Sequence, residues 1–136
     1  MGLRAAATFK AANMSAYLAQ IAAGAQQGVL DAANAGYAIS QAIVPRETGD
    51  LAADITVKSG SDTTSTWAAW GPDSIHYRFY VEFGTGRRGA ESAMAGPGPY
   101  EMSWPGMTPR AYMRPALDEL QGSALDIVGT SIRSAL

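Results

Sequence analysis

One apolar stripe limits what this chain can fold into more than any other feature. From about residue 13 to residue 44, Met14, Leu18, Ile21, Ala25, Val29, Ala32, Gly36, Ile39 and Ile43 step by three and four, the spacing of one helix face. Pro45 ends the run, because its ring removes a backbone donor and clashes with the preceding turn. Gly24, Gly28 and Gly36 each cost up to ~1 kcal/mol relative to alanine in a helix interior, so close packing must offset them. With Ala25 and Ala32, Gly28 and Gly36 form a shallow face of small residues. The chain's own sheet is the first expected occupant of that face, and a neighbouring subunit's helix is the second.

After Thr48-Gly49-Asp50, the period changes from helical to two. Ile55 and Val57 alternate with Asp54, Thr56 and Lys58, which predicts a strand with one buried face. A turn over residues 59–63 leads to a second strand over 64–70, closed by Gly71-Pro72-Asp73. Residues 75–83 read as a third strand, with Tyr77, Phe79, Val81 and Phe83 on one face and His76, Arg78, Tyr80 and Glu82 on the other. Residues 84–111 hold too many glycines and prolines for regular structure. Tyr100, Met102 and Trp104 alternate inside that loop, as in a short fourth strand or an apolar tip that docks on a partner. Leu117, Leu120, Ala124, Ile127, Val128 and Ile132 restore helical spacing, with Pro115 tolerated in the first turn. The expected fold is α+β: one domain over 1–136, in which a long N-terminal helix and a C-terminal helix pack on an antiparallel sheet of three to four strands, with a long Gly/Pro-rich loop.

Chemistry is sparse. His76 is the only histidine, and there is no cysteine, so neither a metal set nor a catalytic relay can be assembled from those residues. Asp50 and Asp54 fall at a turn and a strand start, while Asp118, Glu119 and Asp126 fall on the polar side of the last helix, and no paired acid and base emerges. Gly84-Thr85-Gly86-Arg87-Arg88-Gly89 lacks the lysine and hydroxyl residue of a phosphate loop. Arg87 and Arg88 form the only adjacent basic pair, but a net charge of −2 and only two lysines disfavour sequence-specific DNA binding. No catalytic, cofactor or metal site is expected. Residues 1–10 lack the apolar core of a secretory signal, and polar residues interrupt every apolar run short of a membrane span. With 47% hydrophobic and 16% charged residues, the surface is unusually neutral, which favours self-assembly.

Three motifs give these features a common purpose. Thr48-Gly49-Asp50-Leu51, Val81-Glu82-Phe83-Gly84-Thr85 and Ala111-Tyr112-Met113-Arg114-Pro115-Ala116 follow one another in an order that resembles the tail-completion, or head-to-tail joining, proteins of long-tailed phages, the gene-product-ten-like family. The resemblance covers about residues 45–120, and Ala111 stands where the family pattern has proline. It implies a non-enzymatic structural protein of the virion neck, assembled in the host cytoplasm. Its subunits would form a ring, six as first choice and twelve as the alternative, between the head connector or stopper proteins and the tail tube protein. Phage DNA would pass through the lumen without sequence-specific contacts. A tail-tube or other minor tail subunit is the alternative. The residues expected at partner or subunit interfaces are Glu82, Phe83, Arg87, Arg88, Tyr100, Met102, Trp104, Tyr112 and Arg114, with Glu82 and Arg114 expected to pair and fix the two roots of the loop.

Overall fold

The computed structural model describes residues 2–84 and 108–136, with residues 2–12 as backbone only. A helix of 42 residues, α1 (Gly2–Ile43), organises everything else. It begins earlier than the stripe suggested, because the alanine-rich stretch before Asn13 contains no glycine after Gly2 and no proline. A single helical turn, α2 (Asp50–Asp54), follows Gly49, whose φ of 85° lies in the left-handed region that a side chain would strain. Strands β1 (Ile55–Ser61) and β2 (Thr66–Pro72) pair antiparallel from Ile55 opposite Pro72 to Ser61 opposite Thr66. Asp62 closes the hairpin: one carboxylate oxygen accepts the Thr64 and Ser65 N–H groups at 2.7 and 2.8 Å. These bonds, led by the Thr64 N–H, hold the Asp62 carboxyl down at about 2.

Two expectations are overturned. Residues 75–83 are not a third strand: they pass through a turn into α3 (Arg78–Phe83), so the sheet has two strands among the described residues. The physical reason is visible in burial. Ile75, Arg78 and Val81 are half-buried and Glu82 is buried, a three-residue helical step, whereas Phe79 and Phe83 stay exposed. Nor is the C-terminal helix continuous. It breaks at Gly122 and Ser123 into α4 (Met113–Gln121) and α5 (Ala124–Ala135). The fourth strand suggested around Tyr100 to Trp104 lies outside the described residues.

A buried line runs along α1 through Gly24, Gly28, Ala32, Gly36 and Ser40 to Val44 just past its end, at a spacing of four. Since an α-helix turns by 3.6 residues, a strict step of four drifts around the axis, and the two ends of this line face different partners. Around Gly24 and Gly28 the partner is α5: a Cβ on Gly28 would come within 2.8 Å of the Val128 Cα. At Gly36 the partner is the sheet, where a Cβ would strike the Trp70 ring at 2.6 Å. The expected packing on the sheet therefore holds for Gly36. At Gly28 the occupant is the chain's own last helix, which leaves no room there for a neighbouring subunit.

The core lies at the Val44 end of this line. Val44, Leu51, Ala52, Ile55 and Tyr112 are buried together, flanked by Tyr37, Trp70, Ile75, Val81 and Met113. Ser40, fully buried, donates to the Gly36 carbonyl at 2.9 Å and accepts the Trp70 indole N–H at 2.9 Å, so the tryptophan lies flat on α1 with its polar atom satisfied. No helix among the described residues is long and apolar enough to cross a membrane.

Candidate functional site

The site begins with a carboxylate that the sequence placed only at a strand start. Asp54 ends α2 and accepts the N–H groups of Asp73, Ser74 and Ile75 at 2.9–3.1 Å, together with the Ser74 hydroxyl at 2.7 Å. The Ser74 hydroxyl, followed by the Ile75 N–H, holds its pKa below the ordinary value. These bonds bend the chain out of β2 and aim it into α3, where the Tyr77 carbonyl accepts the Tyr80 and Val81 N–H groups at 3.0 and 3.2 Å.

Alpha-helical winding then turns Glu82 inward. Only 6% of Glu82 is exposed, and its carboxylate accepts three consecutive main-chain N–H groups, those of Tyr112, Met113 and Arg114, each at 2.9 Å. These are donors at the start of α4, where a helix has no internal partners to offer and its dipole favours an anion. Burial alone would push the Glu82 carboxyl up. The Met113, Tyr112 and Arg114 N–H groups and the Arg114 side chain outweigh it, and the carboxyl lies below its ordinary range.

Arg114 completes the clasp. Its Nε donates to Glu82 at 3.3 Å, and its guanidinium carbon sits 5.0 Å from the centre of the Phe83 ring. The Arg110 N–H donates to the Val81 carbonyl at 2.8 Å, a second tie between the two segments. Gly84, where the chain leaves α3, has φ 72°, so the glycine of the Glu-Phe-Gly-Thr motif meets a backbone requirement. Tyr112 fills the space beneath: it is fully buried, its hydroxyl has no hydrogen-bond partner among the described residues, and burial, then the Glu82 and Asp54 charges, push its pKa up to about 12.

Of the residues singled out in the sequence, the structure brings Glu82, Phe83, Tyr112 and Arg114 into one cluster within one chain. Glu82 and Tyr112 are buried, so what they set is the shape of the surface around them. Arg87, Arg88, Tyr100, Met102 and Trp104 lie outside the described residues. Sequence reasoning missed the exposed aromatic face that the clasp supports: Tyr77, Phe79, Tyr80 and Phe83 are 37–58% exposed on and beside α3, with Leu117 of α4 also exposed. The Arg78 guanidinium lies over Phe79, 4.8 Å from the ring centre. A period-two reading placed Tyr77, Phe79 and Phe83 on one face of a strand and Tyr80 on the other; helical winding instead leaves all four rings exposed.

The cluster offers no acid and base facing a common space. His76 is exposed and, among the described residues, meets the edge of Tyr77 at 6.0 Å between ring centres. Among the described residues no group of three or more His, Cys, Asp or Glu could hold a metal ion. A shallow groove between α1 and α5 is lined by Asp31, Asp126, Thr130, Ser131 and Ser134, without a titratable partner of opposite sign. Compared with protein-family models, curated proteins and solved structures, the chain matches none.

Proposed function

We propose that this chain is a structural subunit of a phage neck, closing into a ring that completes the tail or joins the head connector to the tail tube, with a DNA channel along its axis. One observation carries the reading. Two of the three motifs behind the family resemblance, separated by about 30 residues of chain, meet as a single clasp around the buried Glu82, which holds the start of α4 and Arg114. Residues that share a motif pattern and also share one structural task form a stronger signal than short motifs scattered over a surface. The clasp anchors the chain on both sides of residues 85–107 and presents aromatic rings outward, which suits docking between subunits or onto a tube end. A ring needs two different patches per subunit that meet with a rotation that closes.

Light scattering on the purified protein, followed by negative-stain imaging with and without isolated tail tubes, tests this reading. Closed rings, or monomers that become rings on tube ends, are the expected result. Open-ended polymers would replace it with a tube subunit, and a monomer indifferent to tubes and to head connectors would end it.

A further inference from the structure

Helix α3 is six residues long, too short to hold its own winding in water. Burial does little to make up the difference. Within it only Glu82 is buried, Arg78 and Val81 are half-buried, and Phe79, Tyr80 and Phe83 are exposed. Unwinding α3 would bring little apolar surface into water, and such surface is what ordinarily keeps a short helix in place. The ties that remain are directional and gather at its two ends. At the entry, Asp54 accepts the N–H groups of Asp73, Ser74 and Ile75; at the exit, Glu82 accepts those of Tyr112, Met113 and Arg114. Between them, the Val81 carbonyl accepts the Arg110 N–H at 2.8 Å, and the Ile75 and Val81 side chains rest on the Val44 cluster.

Both clamps are mounted on elements that are packed without help from α3. Asp54 ends α2, whose Leu51 and Ala52 are buried, and the next residue, Ile55, is buried at the start of the hairpin. The donors that Glu82 holds open α4, which packs on α1 and buries Ala116 and Leu120. A thinly packed segment is thus fastened between two fixed posts. We infer that residues 73–84 form a strap that the Asp54 and Glu82 carboxylates hold shut, and that this strap opens as one unit while the α1–α5 pair and the β1–β2 hairpin stay folded. Regions with few buried apolar contacts are the ones that open locally, at a cost below that of global unfolding. The two clamps are coupled through the helix: once either end is loose α3 cannot stay wound, and its unwinding frees the other end. Phe79, Tyr80 and Phe83 therefore keep fixed positions only while both carboxylates are seated. The inference requires no partner and stands apart from the neck reading.

Amide hydrogen exchange at neutral pH reads the strap directly, because each tie has its own main-chain donor. In the full parent chain at low urea, the amides of Ser74, Ile75, Tyr80, Val81, Met113 and Arg114 are expected to share one opening equilibrium, at least about tenfold more populated than the opening seen in the middle of β1 and β2 and in α5. Strap amides that exchange as slowly as the hairpin would overturn the inference. Asp54→Ala tests the coupling: exchange about tenfold faster or more is expected at Ser74 and Ile75 and also at Tyr112, Met113 and Arg114, at the far end of the strap, with the hairpin and α5 unchanged. Acceleration confined to residues 73–75 would show two independent caps in place of one strap, and acceleration by the same factor in the hairpin and α5 would show no separate unit; either result overturns the inference. Glu82→Gln keeps the side chain's size and removes its charge, which supplies the reciprocal reading. Faster exchange at Ser74 and Ile75 is expected there, and unchanged rates at those two amides count against a single strap.

Discussion

The two ends of α1 are held by different physics. Near Gly24 and Gly28 the helix meets α5 backbone against backbone, with Cβ positions that would fall 2.7–2.8 Å from the opposing Cα atoms. Near Ser40 and Val44 it meets the sheet and α4, and the Val44 cluster gathers residues of short elements that start and stop: α2, the turn after β2, α3 and the start of α4. Every such end leaves main-chain groups without internal partners, and these must be satisfied when buried. That explains why the directional bonds gather there, with Gln41 donating to the Ala52 carbonyl at 2.6 Å, Asp54 on residues 73–75 and Glu82 on residues 112–114. Long helices that pass side by side need only the absence of side chains. A small-residue line thus buries two unlike surfaces, one by steric fit and the other by polar clasps.

Replacing Glu82 tests the polar end most severely. Glu82→Ala strands three main-chain donors at the start of α4, each costing about 1–3 kcal/mol where water cannot replace the carboxylate, while the half-exposed Arg114 guanidinium can turn to solvent. Urea unfolding should show that loss in the midpoint. At the other end, Gly28→Val forces the Val128 backbone away, and overpacking of this kind costs about 1–3 kcal/mol after any gain in helix propensity. The two variants should differ in kind as well as size, since only Gly28→Val separates α5 from α1. Hydrogen exchange on α5 that is faster in Gly28→Val than in Glu82→Ala is the expected pattern. Equal acceleration in both would mean that the two ends unfold as one unit and that the contrast drawn here has no energetic meaning.

What the sequence disclosed follows the same division. That α1 packs closely was legible because steric fit leaves its mark in composition, with glycines at 24, 28 and 36 inside an otherwise good helix, but the partner was legible only at Gly36, where the expected sheet is found, and not at Gly24 and Gly28, where it is α5. The β1–β2 hairpin was legible from alternation at Ile55 and Val57. The α3 segment was not, because Tyr77, Phe79, Val81 and Phe83 alternate as well as any strand, and the bonds that bend the chain come from Asp54, about 20 residues away. Short apolar runs carry no period of their own strong enough to resist such a contact. Charge gave the clasp away only in part. Opposite signs at Glu82 and Arg114 suggested a pair, yet the larger share of the carboxylate's bonds goes to main-chain N–H groups, which no side-chain pattern encodes.

Acid should discriminate between the two ends next. Glu82 has a folded-state pKa below its ordinary value, so its contribution is complete above that value and fades as the pH falls through the folded pKa. The atoms that meet α1 at Gly24 and Gly28 belong to Val128, Ser131, Ile132 and Ala135, none of which titrates. Stability measured from neutral pH downward should therefore decline below about pH 4 in the parent, where an unperturbed glutamate begins to protonate. The decline should be shallower in Glu82→Gln, which starts lower but has no proton to take up at this site. Equal slopes in the two proteins would assign the acid sensitivity elsewhere and remove the carboxylate clasp from its account.

The smallest effect belongs to the hydroxyl of Tyr112. It is buried without a partner among the described residues, so Tyr112→Phe removes a polar atom that gained nothing from burial, and the expected change is within about 1 kcal/mol at neutral pH, neutral or stabilising. Alkaline pH enlarges it. Because the folded pKa is raised to about 12 from the ordinary tyrosine value of 10.0, the unfolded chain releases this proton first, and stability is complete below pH 10 and lost progressively as pH rises toward 12. Phenylalanine has no proton to lose, so the variant should hold its stability better than the parent over that window. If both decline in parallel, the hydroxyl has a partner or reaches solvent, and the packed floor of the clasp is less dry than its burial indicates.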